Sequence, residues 1–161
     1  MEQVRFWKSY ENGVRLPYAE FTNFAKYPFT VDGVAYPTSE HYYQSKKFID
    51  PEYRSLVIES PTPKSCAEIG RNKYLPLRPD WEEIKDDVMR MALWHKFSAH
   101  LPLVKSLLDT EDKEIIEDTP IDWYWGCGAD GTGKNMLGKL LMELRENIKT
   151  GDPKKPDIKE Y

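Results

Sequence analysis

Prolines and helix-capping residues divide this chain into short helices, and this division limits the folds open to it. Proline lacks a backbone N–H, so it suits the first turn of a helix and disrupts the interior. Pro51, Pro63 and Pro102 each precede a stretch that favours a helix. Thr38 and Thr62 suit the capping position before the first helical residue. The pattern predicts a chain built mainly from helices that begin at defined residues.

Six helices are expected from these signals and from apolar spacing. They run from Thr38 to about Ile49, from Pro51 to Glu59, from Thr62 to about Arg71, from Asp80 to Ala99, from Pro102 to Leu108, and onward from near Asn135. The fourth begins with Asp80 and Glu83, which resemble a capping box. The last carries an apolar stripe on one face, which predicts packing against a core.

Strand patterns are fewer and lie mostly near the N-terminus. Val4–Trp7 and Phe29–Tyr36 resemble strands, and Asp32-Gly33 inside the second predicts a hairpin turn. Glu114–Glu117 is a further brief strand. The expected fold class is therefore mainly α (α+β), with a small β element near the N-terminus. We expect one domain over residues 1–150, because 161 residues suit a single domain, and a flexible polar tail over 151–161.

Charge and cysteine usage exclude several classes of function. The formal net charge is −4, so a general attraction for nucleic acid is absent and only a local basic patch could contact a polyanion. The candidates for such a patch are Lys46, Lys47, Lys64, Arg71, Lys73 and Arg78. The two cysteines and three histidines do not stand at metal-ligand spacing, so neither a metal nor a cofactor is expected.

The chain shows no sign of a membrane or export segment. The first seven residues lack the apolar stretch of a signal peptide, and no apolar run approaches the ~18 residues of a membrane span. We expect a protein of the cytoplasm, with the nucleus as the alternative, that makes no contact with a membrane and acts as a monomer.

One candidate site lies on the helix that Thr38 opens. Glu40, Gln44 and Lys47 are spaced at i, i+4 and i+7, which places them on one helix face, and Tyr43 borders that face. A carboxylate and an amine at this spacing suit acid–base or nucleophilic chemistry. The alternative is an ordinary solvated surface.

A second candidate is the glycine-rich segment 122–135, DWYWGCGADGTGKN. It contains near-matches to a dinucleotide fingerprint and to a P-loop, but no strand directly precedes it and no βαβ unit surrounds it, so both are rejected. The glycines still suggest a loop whose N–H groups approach a phosphate before a helix N-terminus, with Trp123, Tyr124 and Trp125 beside it. The alternative is that the glycines shape a turn and the aromatic rings fill a core.

Taken together, these segments resemble the NADAR (YbiA-like) family. The resemblance is carried by residues 21–24 (FTNF), 36–48 (YPTSEHYYQSKKF), 68–71 (EIGR), 81–89 (WEEIKDDVM), 125–128 (WGCG) and 133–145 (GKNMLGKLLMELR). It covers nearly the whole chain except the tail. It implies a compact helical N-glycosidase that cleaves an amine–ribose bond.

The resemblance also implies substrates and site residues. The substrate is ADP-ribosylated guanine, as a nucleoside or in nucleic acid, with ADP-ribose as product, or else a phosphoribosylamino-pyrimidine intermediate of riboflavin synthesis. The expected catalytic residues are Glu40, Lys47 and Asp122. The expected substrate-binding residues are Asn23, Phe24, Tyr43, Gln44, Arg71, Trp125, Gly126, Gly128, Asp130 and Asn135. Cys127 stands where some members have aspartate, which leaves Asp122 or Asp130 to take over any role of that carboxylate.

Two non-enzymatic alternatives remain at this point. An ADP-ribose-binding module would use the glycine loop and its aromatic rings without needing Glu40 or Lys47. A scaffold would bind no nucleotide at all.

Overall fold

A computed structural model describes residues 2–151 and 153–161, and in them six α-helices and six short strands form. The helices are α1 Ser39–Ser45, α2 Pro51–Ile58, α3 Pro63–Gly70, α4 Trp81–Ala99, α5 Leu101–Leu108 and α6 Met136–Lys149. The strands are β1 Gln3–Phe6, β2 Tyr10–Glu11, β3 Val14–Arg15, β4 Phe29–Val31, β5 Val34–Tyr36 and β6 Glu114–Glu117. A 3₁₀ turn occupies Ala19–Phe21. The predicted mainly α, α+β class is confirmed.

The predicted helix starts agree with the capping chemistry that the structure contains. Thr38 Oγ1 accepts a hydrogen bond from the His41 N–H at 3.2 Å, which satisfies one of the free donors at the start of α1. Thr62 and Ser65 cap each other's backbone at the start of α3. The Asp50 side chain accepts from the backbone of α2.

One helix end was predicted wrongly. The helix from Thr38 was expected to reach about Ile49, but α1 ends at Ser45 and Lys46 is its C-cap. The Lys47 N–H then bonds to the Gln44 carbonyl at 3.2 Å, which tightens the chain into a turn. Lys47 therefore follows the helix and does not belong to it.

The strands pair in three separate two-stranded ladders. β1 runs parallel to β6, with Val4 opposite Ile115, although more than a hundred residues separate them. β4 and β5 form the predicted hairpin, and Asp32 and Gly33 take positive φ values of 50° and 79° in its turn. The β2–β3 hairpin was missed, although Asn12-Gly13 gives the same kind of turn signal.

Two compact units divide the residues. Unit 1 comprises Met1–Thr22 and His100–Lys155, and unit 2 comprises Asn23–Ala99 and Pro156–Tyr161. In unit 1, α6 packs on β6 and on α5, and its buried stripe is Leu137, Leu140, Leu141 and Leu144. In unit 2, α1 is surrounded by α2, α3 and α4, and every residue of α1 is buried. A buried seven-residue helix is thus the centre of unit 2.

No helix within residues 2–151 and 153–161 is long and apolar enough to span a bilayer. In the same residues no three His, Cys, Asp or Glu side chains are grouped as metal ligands would be. Asp152, within the predicted tail, lies outside the described residues. The flexibility of that tail stays a prediction.

Candidate functional site

Glu40 lies in the first turn of α1 and is buried, with 7% of its surface exposed. Its backbone N–H donates to the Asn23 carbonyl at 3.2 Å, which fixes the start of the helix against the preceding loop. Its carboxylate Oε1 accepts from Gln44 Nε2 at 2.7 Å, one helical turn later. Glu40 and Gln44, which were predicted to share a helix face, are therefore in contact, and the solvated-surface alternative is wrong for both residues.

Gln44 is held in one orientation by this bond. Its Nε2 must face the Glu40 carboxylate, because its Oε1 would be repelled there. Oε1 is buried and has no hydrogen-bond partner among the described residues. It faces Gly70 at the end of α3, where an added Cβ would overlap the amide. The missing side chain at Gly70 gives Gln44 its space.

Lys47 lies half-buried beside the same glycine. Its Nζ donates to the Gly70 carbonyl at 3.2 Å and lies 5.7 Å from the ring centre of Tyr43 and 5.8 Å from that of Trp81. Burial lowers the pKa of the Lys47 amine; the Glu40 carboxylate counteracts this and the Arg71 charge adds to it. The enclosure therefore favours the neutral, nucleophilic form of the amine.

The other predicted residues of unit 2 have distinct surroundings. Asn23 Oδ1 accepts from Ser39 Oγ at 2.8 Å, and Asn23 Nδ2 lies 3.4 Å from Met89 Sδ, so its amide serves the start of α1. Phe24 is 45% exposed. Arg71 is exposed at the C-cap of α3. Of these three, only Arg71 places an exposed positive charge close enough to Lys47 to lower its pKa.

The glycine-rich loop of unit 1 uses its own N–H groups internally. The Met136 and Leu137 N–H groups, at the start of α6, donate to the carbonyls of Tyr124 and Trp125 at 3.0 Å each. The Gly133 N–H donates to the Cys127 carbonyl at 2.7 Å, and the Asn135 N–H to the Gly126 carbonyl at 3.0 Å. The prediction that this helix N-terminus offers these donors to a phosphate is wrong, because the preceding loop already satisfies them.

Close packing and backbone conformation explain why glycine stands at several positions of this loop. A Cβ on Gly133 would overlap backbone atoms of the loop, and one on Gly126 would overlap the side chain of Thr119. Gly128 has φ +71°, and a side chain there would overlap the indole of Trp123. The alternative that these glycines shape a turn therefore explains them.

The polar side chains of the loop are also engaged. Asp122 Oδ1 accepts from the N–H groups of Tyr124 and Trp125 at 2.9 and 2.8 Å. Asp130 Oδ1 accepts from the Thr132 N–H and hydroxyl, and these bonds lower the pKa of Asp130. Asn135 Oδ1 accepts from the Glu117 N–H at 2.9 Å, and its Nδ2 donates to the Ile115 carbonyl at 2.8 Å.

The aromatic residues differ in exposure. Trp123 is 49% exposed, whereas Tyr124 and Trp125 pack edge to face, with ring centres 5.0 Å apart. Sequence reasoning named Trp125 as a ligand contact, yet Trp123 presents more open ring surface. The overlap of Gly128 with the Trp123 indole is a tertiary feature that the sequence pattern did not show.

Cys127 does not replace the missing aspartate as an anion. Burial raises the pKa of its thiol, and Asp118, whose Oδ1 is 3.4 Å from Cys127 Sγ, raises it further. The thiol therefore stays protonated near neutral pH and donates to Asp118. A carboxylate at this position would face another carboxylate.

These segments match a known family. Residues 5–149 match the model of the NADAR domain, and this chain belongs to the NADAR family. The chain is 49% identical to N-glycosidase YbiA of Shigella boydii over 131 residues. These residues are 81% of this chain and 82% of that protein. The family predicted from the sequence is confirmed, and so is the enzyme class, because the relatives are N-glycosidases, which hydrolyse N-glycosyl bonds.

The chain is also similar to a solved structure and to a riboflavin biosynthesis protein. The NMR structure of the E. coli protein YbiA superposes with a TM-score of 0.83 at 43% identity, covering 93% of this chain and 86% of that one. The riboflavin biosynthesis protein VVA0006 of Vibrio vulnificus is 36% identical over 154 residues, which are 95% of this chain and 41% of that protein. The YbiA-like fold predicted for the chain is confirmed.

Proposed function

We propose that this chain hydrolyses the bond between an amine nitrogen and C1 of a phosphorylated ribose, with ADP-ribosylated guanine as its substrate. The observation that carries the proposal is the buried Glu40–Gln44 pair next to a Lys47 amine of lowered pKa. A binding module or a scaffold has no need for an enclosed carboxylate beside an amine whose pKa burial lowers. A glycosidase needs both a proton-transfer group and a group that meets the anomeric carbon.

In the first mechanism, Lys47 acts as the nucleophile. The ribose ring opens as the C1–O4 bond breaks, a proton passes from the guanine nitrogen to the ring oxygen, and an imine forms between C1 and that nitrogen. The neutral Nζ adds to C1, and Glu40 takes a proton from the added Nζ and delivers it to the guanine nitrogen. The C1–N bond to guanine then breaks, which leaves a Schiff base between Lys47 and C1. Water subsequently adds to the imine, which releases the amine of Lys47 and the sugar aldehyde. Ring closure of the aldehyde gives ADP-ribose. The hydrogen bond from Gln44 holds the Glu40 carboxylate in place for these proton transfers.

In the second mechanism, Glu40 activates a water molecule or stabilises positive charge at C1 directly. The C1–N bond breaks as the water oxygen bonds to C1, and the guanine amine takes up a proton. Lys47 then contributes only its position and charge. The two mechanisms differ in whether a covalent intermediate with Lys47 exists.

Phosphate recognition is assigned to Arg71 in this proposal. The α6 N–H groups of Met136 and Leu137 are bonded to loop carbonyls, so they do not supply it. Arg71 is exposed and close enough to Lys47 to influence its pKa. A guanidinium can bind a phosphate through two parallel hydrogen bonds. Arg71→Ala should therefore raise KM more than it lowers kcat, whereas Arg71→Lys should recover only part of the affinity.

Borohydride trapping separates the two mechanisms. The wild-type enzyme is incubated with ADP-ribosylated guanosine and cyanoborohydride, and the covalent adduct is located by peptide mass spectrometry. Lys47→Arg and Lys47→Ala should abolish the adduct, and the exposed-lysine control Lys64→Ala should keep it. An active Lys47→Ala enzyme without any adduct would sink the Schiff-base mechanism. Near-normal turnover by Glu40→Gln would sink both.

A second substrate class has a specific observation in its favour. The Vibrio vulnificus relative is named a riboflavin biosynthesis protein, and this chain matches 41% of its length. A phosphoribosylamino-pyrimidine has the same amine-linked phosphoribose. One assay therefore offers both substrates to the wild type and to Glu40→Gln. Turnover of the pyrimidine alone would reassign the substrate, and tight binding of ADP-ribose with no turnover of either would favour a binding module.

A further inference from the structure

The end of the described chain packs against α1, the helix that carries Glu40. The Glu160 carboxylate accepts a hydrogen bond from the hydroxyl of Tyr42, which lies in the middle of α1 and is 1% exposed. The same carboxylate is 3.1 and 3.2 Å from Nε2 of His95 on α4. Phe29 covers this junction, with its ring stacked on His95 at 5.8 Å and tilted against Tyr42 at the same distance. Glu160 thus links two helices of unit 2 through one carboxylate.

Tyr161 supports the end of α1 through Arg78. The Arg78 guanidinium lies over the Tyr161 ring, 5.2 Å from its centre. One guanidinium nitrogen of Arg78 donates to the Lys46 carbonyl at 3.3 Å, and its backbone N–H donates to the Lys47 carbonyl at 2.9 Å. Carbonyls at a helix end lack partners within the helix, and here a single residue satisfies two of them.

Charge gives Glu160 a second role at this place. Lys46 is buried, with its amine 4.8 Å from the ring centre of Tyr42. Burial and the Arg54 and Arg78 charges lower the pKa of Lys46 to about 8, while Glu160 and Asp32 oppose them. Glu160 therefore offsets repulsion among three cations at the end of α1.

We infer that Glu160 and Tyr161 are positioning residues for the Lys47 amine, which they hold in place through Tyr42 and Arg78. The inference rests on the proposed role of Lys47. α1 has seven residues, too few for a helix to be stable without tertiary contacts, and Lys47 follows its last residue. The position of the Lys47 backbone therefore depends on what holds the Lys46 and Lys47 carbonyls. Loosening this support lets the amine leave its enclosure between Tyr43 and Trp81.

The first test reads the Lys47 amine itself and needs no substrate. Lysines are labelled by reductive ¹³C-methylation, the Lys47 signal is assigned with Lys47→Arg, and its pKa is measured by NMR titration. Glu160→Ala and Tyr161→Ala should raise this pKa towards the ordinary lysine value. Loss of a negative charge cannot by itself raise the pKa of an amine, so a rise in the Lys47 pKa indicates loosening and not simple electrostatics. The titratable groups that influence the Lys47 pKa, namely Glu40, Arg71, Cys66 and Glu82, are unchanged in both variants.

Conservative variants and a tail control make the test specific. Glu160→Gln keeps an acceptor for Tyr42, and Tyr161→Phe keeps the ring under Arg78, so both should retain most of the wild-type pKa. Asp157→Ala removes a charge from an exposed residue of the same segment and should change nothing. An unchanged Lys47 pKa in both alanine variants would overturn the inference, whether or not Lys47 is catalytic.

The second test is kinetic. Misplacement of a reacting group by about 1 Å costs up to a hundredfold, so Glu160→Ala and Tyr161→Ala should lower kcat by roughly ten- to a hundredfold with little change in KM. Cyanoborohydride trapping should become slower but still reach the wild-type extent, because every molecule remains folded. If the final extent of trapping instead falls below that of the wild type, and the shortfall equals the unfolded fraction of the variant, these residues have a purely structural role. A fully active Lys47→Ala enzyme would instead refute the proposed catalytic role of Lys47, and near-normal turnover by Glu40→Gln would refute the proposed function, both independently of the NMR result.

Discussion

Gly70→Ala tests the site through a residue that carries no functional group. Alanine is favoured over glycine inside a helix by about 0.5–1 kcal/mol, so propensity alone predicts a more stable protein. The contacts predict the opposite, because a Cβ on Gly70 would overlap the buried Gln44 amide. The amide can escape only by rotating away from Glu40. That rotation breaks a hydrogen bond to a carboxylate.

The expected loss follows from this competition. A hydrogen bond to a charged group contributes about 1.5–3 kcal/mol, and an off-rotamer side chain costs about 0.5–1.5 kcal/mol. When the gain in helix propensity is subtracted from these two costs, Gly70→Ala should destabilise the protein by about 2 kcal/mol and lower Tm by roughly 4–8 °C. Activity should fall as well, because Glu40 loses the donor that orients it.

A double-mutant cycle provides the assay and its control. Urea denaturation and turnover are measured for the wild type, Gly70→Ala, Gln44→Ala and the double variant. Without the Gln44 amide there is nothing to overlap, so Gly70→Ala should be neutral or slightly stabilising in the Gln44→Ala background. If Gly70→Ala alone proved as stable and as active as the wild type, the packing of Gln44 on Gly70 would be refuted.

Three further predictions follow from buried groups elsewhere. The pKa of Lys46 falls from 10.5 to about 8 on folding, so between these values the unfolded chain binds more protons and stability rises with pH; Lys46→Met should flatten this rise in urea titrations across that range. Cys127→Asp should destabilise the protein at neutral pH through repulsion from Asp118, whereas Cys127→Ser should not, and adding Asp118→Asn should restore stability. Asn135→Ala removes two buried hydrogen bonds to β6 and should cost about 2–4 kcal/mol by denaturation; a loss below about 0.5 kcal/mol would show that they contribute little.

Local sequence signals were sufficient for most helix starts. Thr38, Asp50 and Thr62 cap α1, α2 and α3 with their own side chains, so the relevant interactions lie within three residues. The same holds for the Asp32-Gly33 turn. The end of α1 was different. It depends on Arg78, which binds the Lys46 and Lys47 carbonyls from about thirty residues away, and no nearby residue indicates this contact.

The glycine-rich loop shows how a sequence pattern can have two physical meanings. Glycines before a helix suit a phosphate cradle, but they equally suit a loop that folds back on itself. The same glycine pattern is compatible with a phosphate cradle and with a self-contacting loop. The backbone hydrogen bonds of the folded protein show that it forms the self-contacting loop. The Met136 and Leu137 donors reach the carbonyls of Tyr124 and Trp125 because Gly126 and Gly133 let the chain approach itself closely.

The sequence by itself determined the family, the mainly helical class and the shared helix face of Glu40 and Gln44, because each depends on motifs or on spacing within one helical turn. Only the tertiary structure decided how Lys47 is enclosed and which chain segments support it. The rings of Tyr43 and Trp81, the carbonyl of Gly70 and the contacts of Glu160 come from separate parts of the chain. The surroundings that lower the pKa of Lys47 exist only after these parts pack together and exclude water, and spacing along the sequence cannot express that.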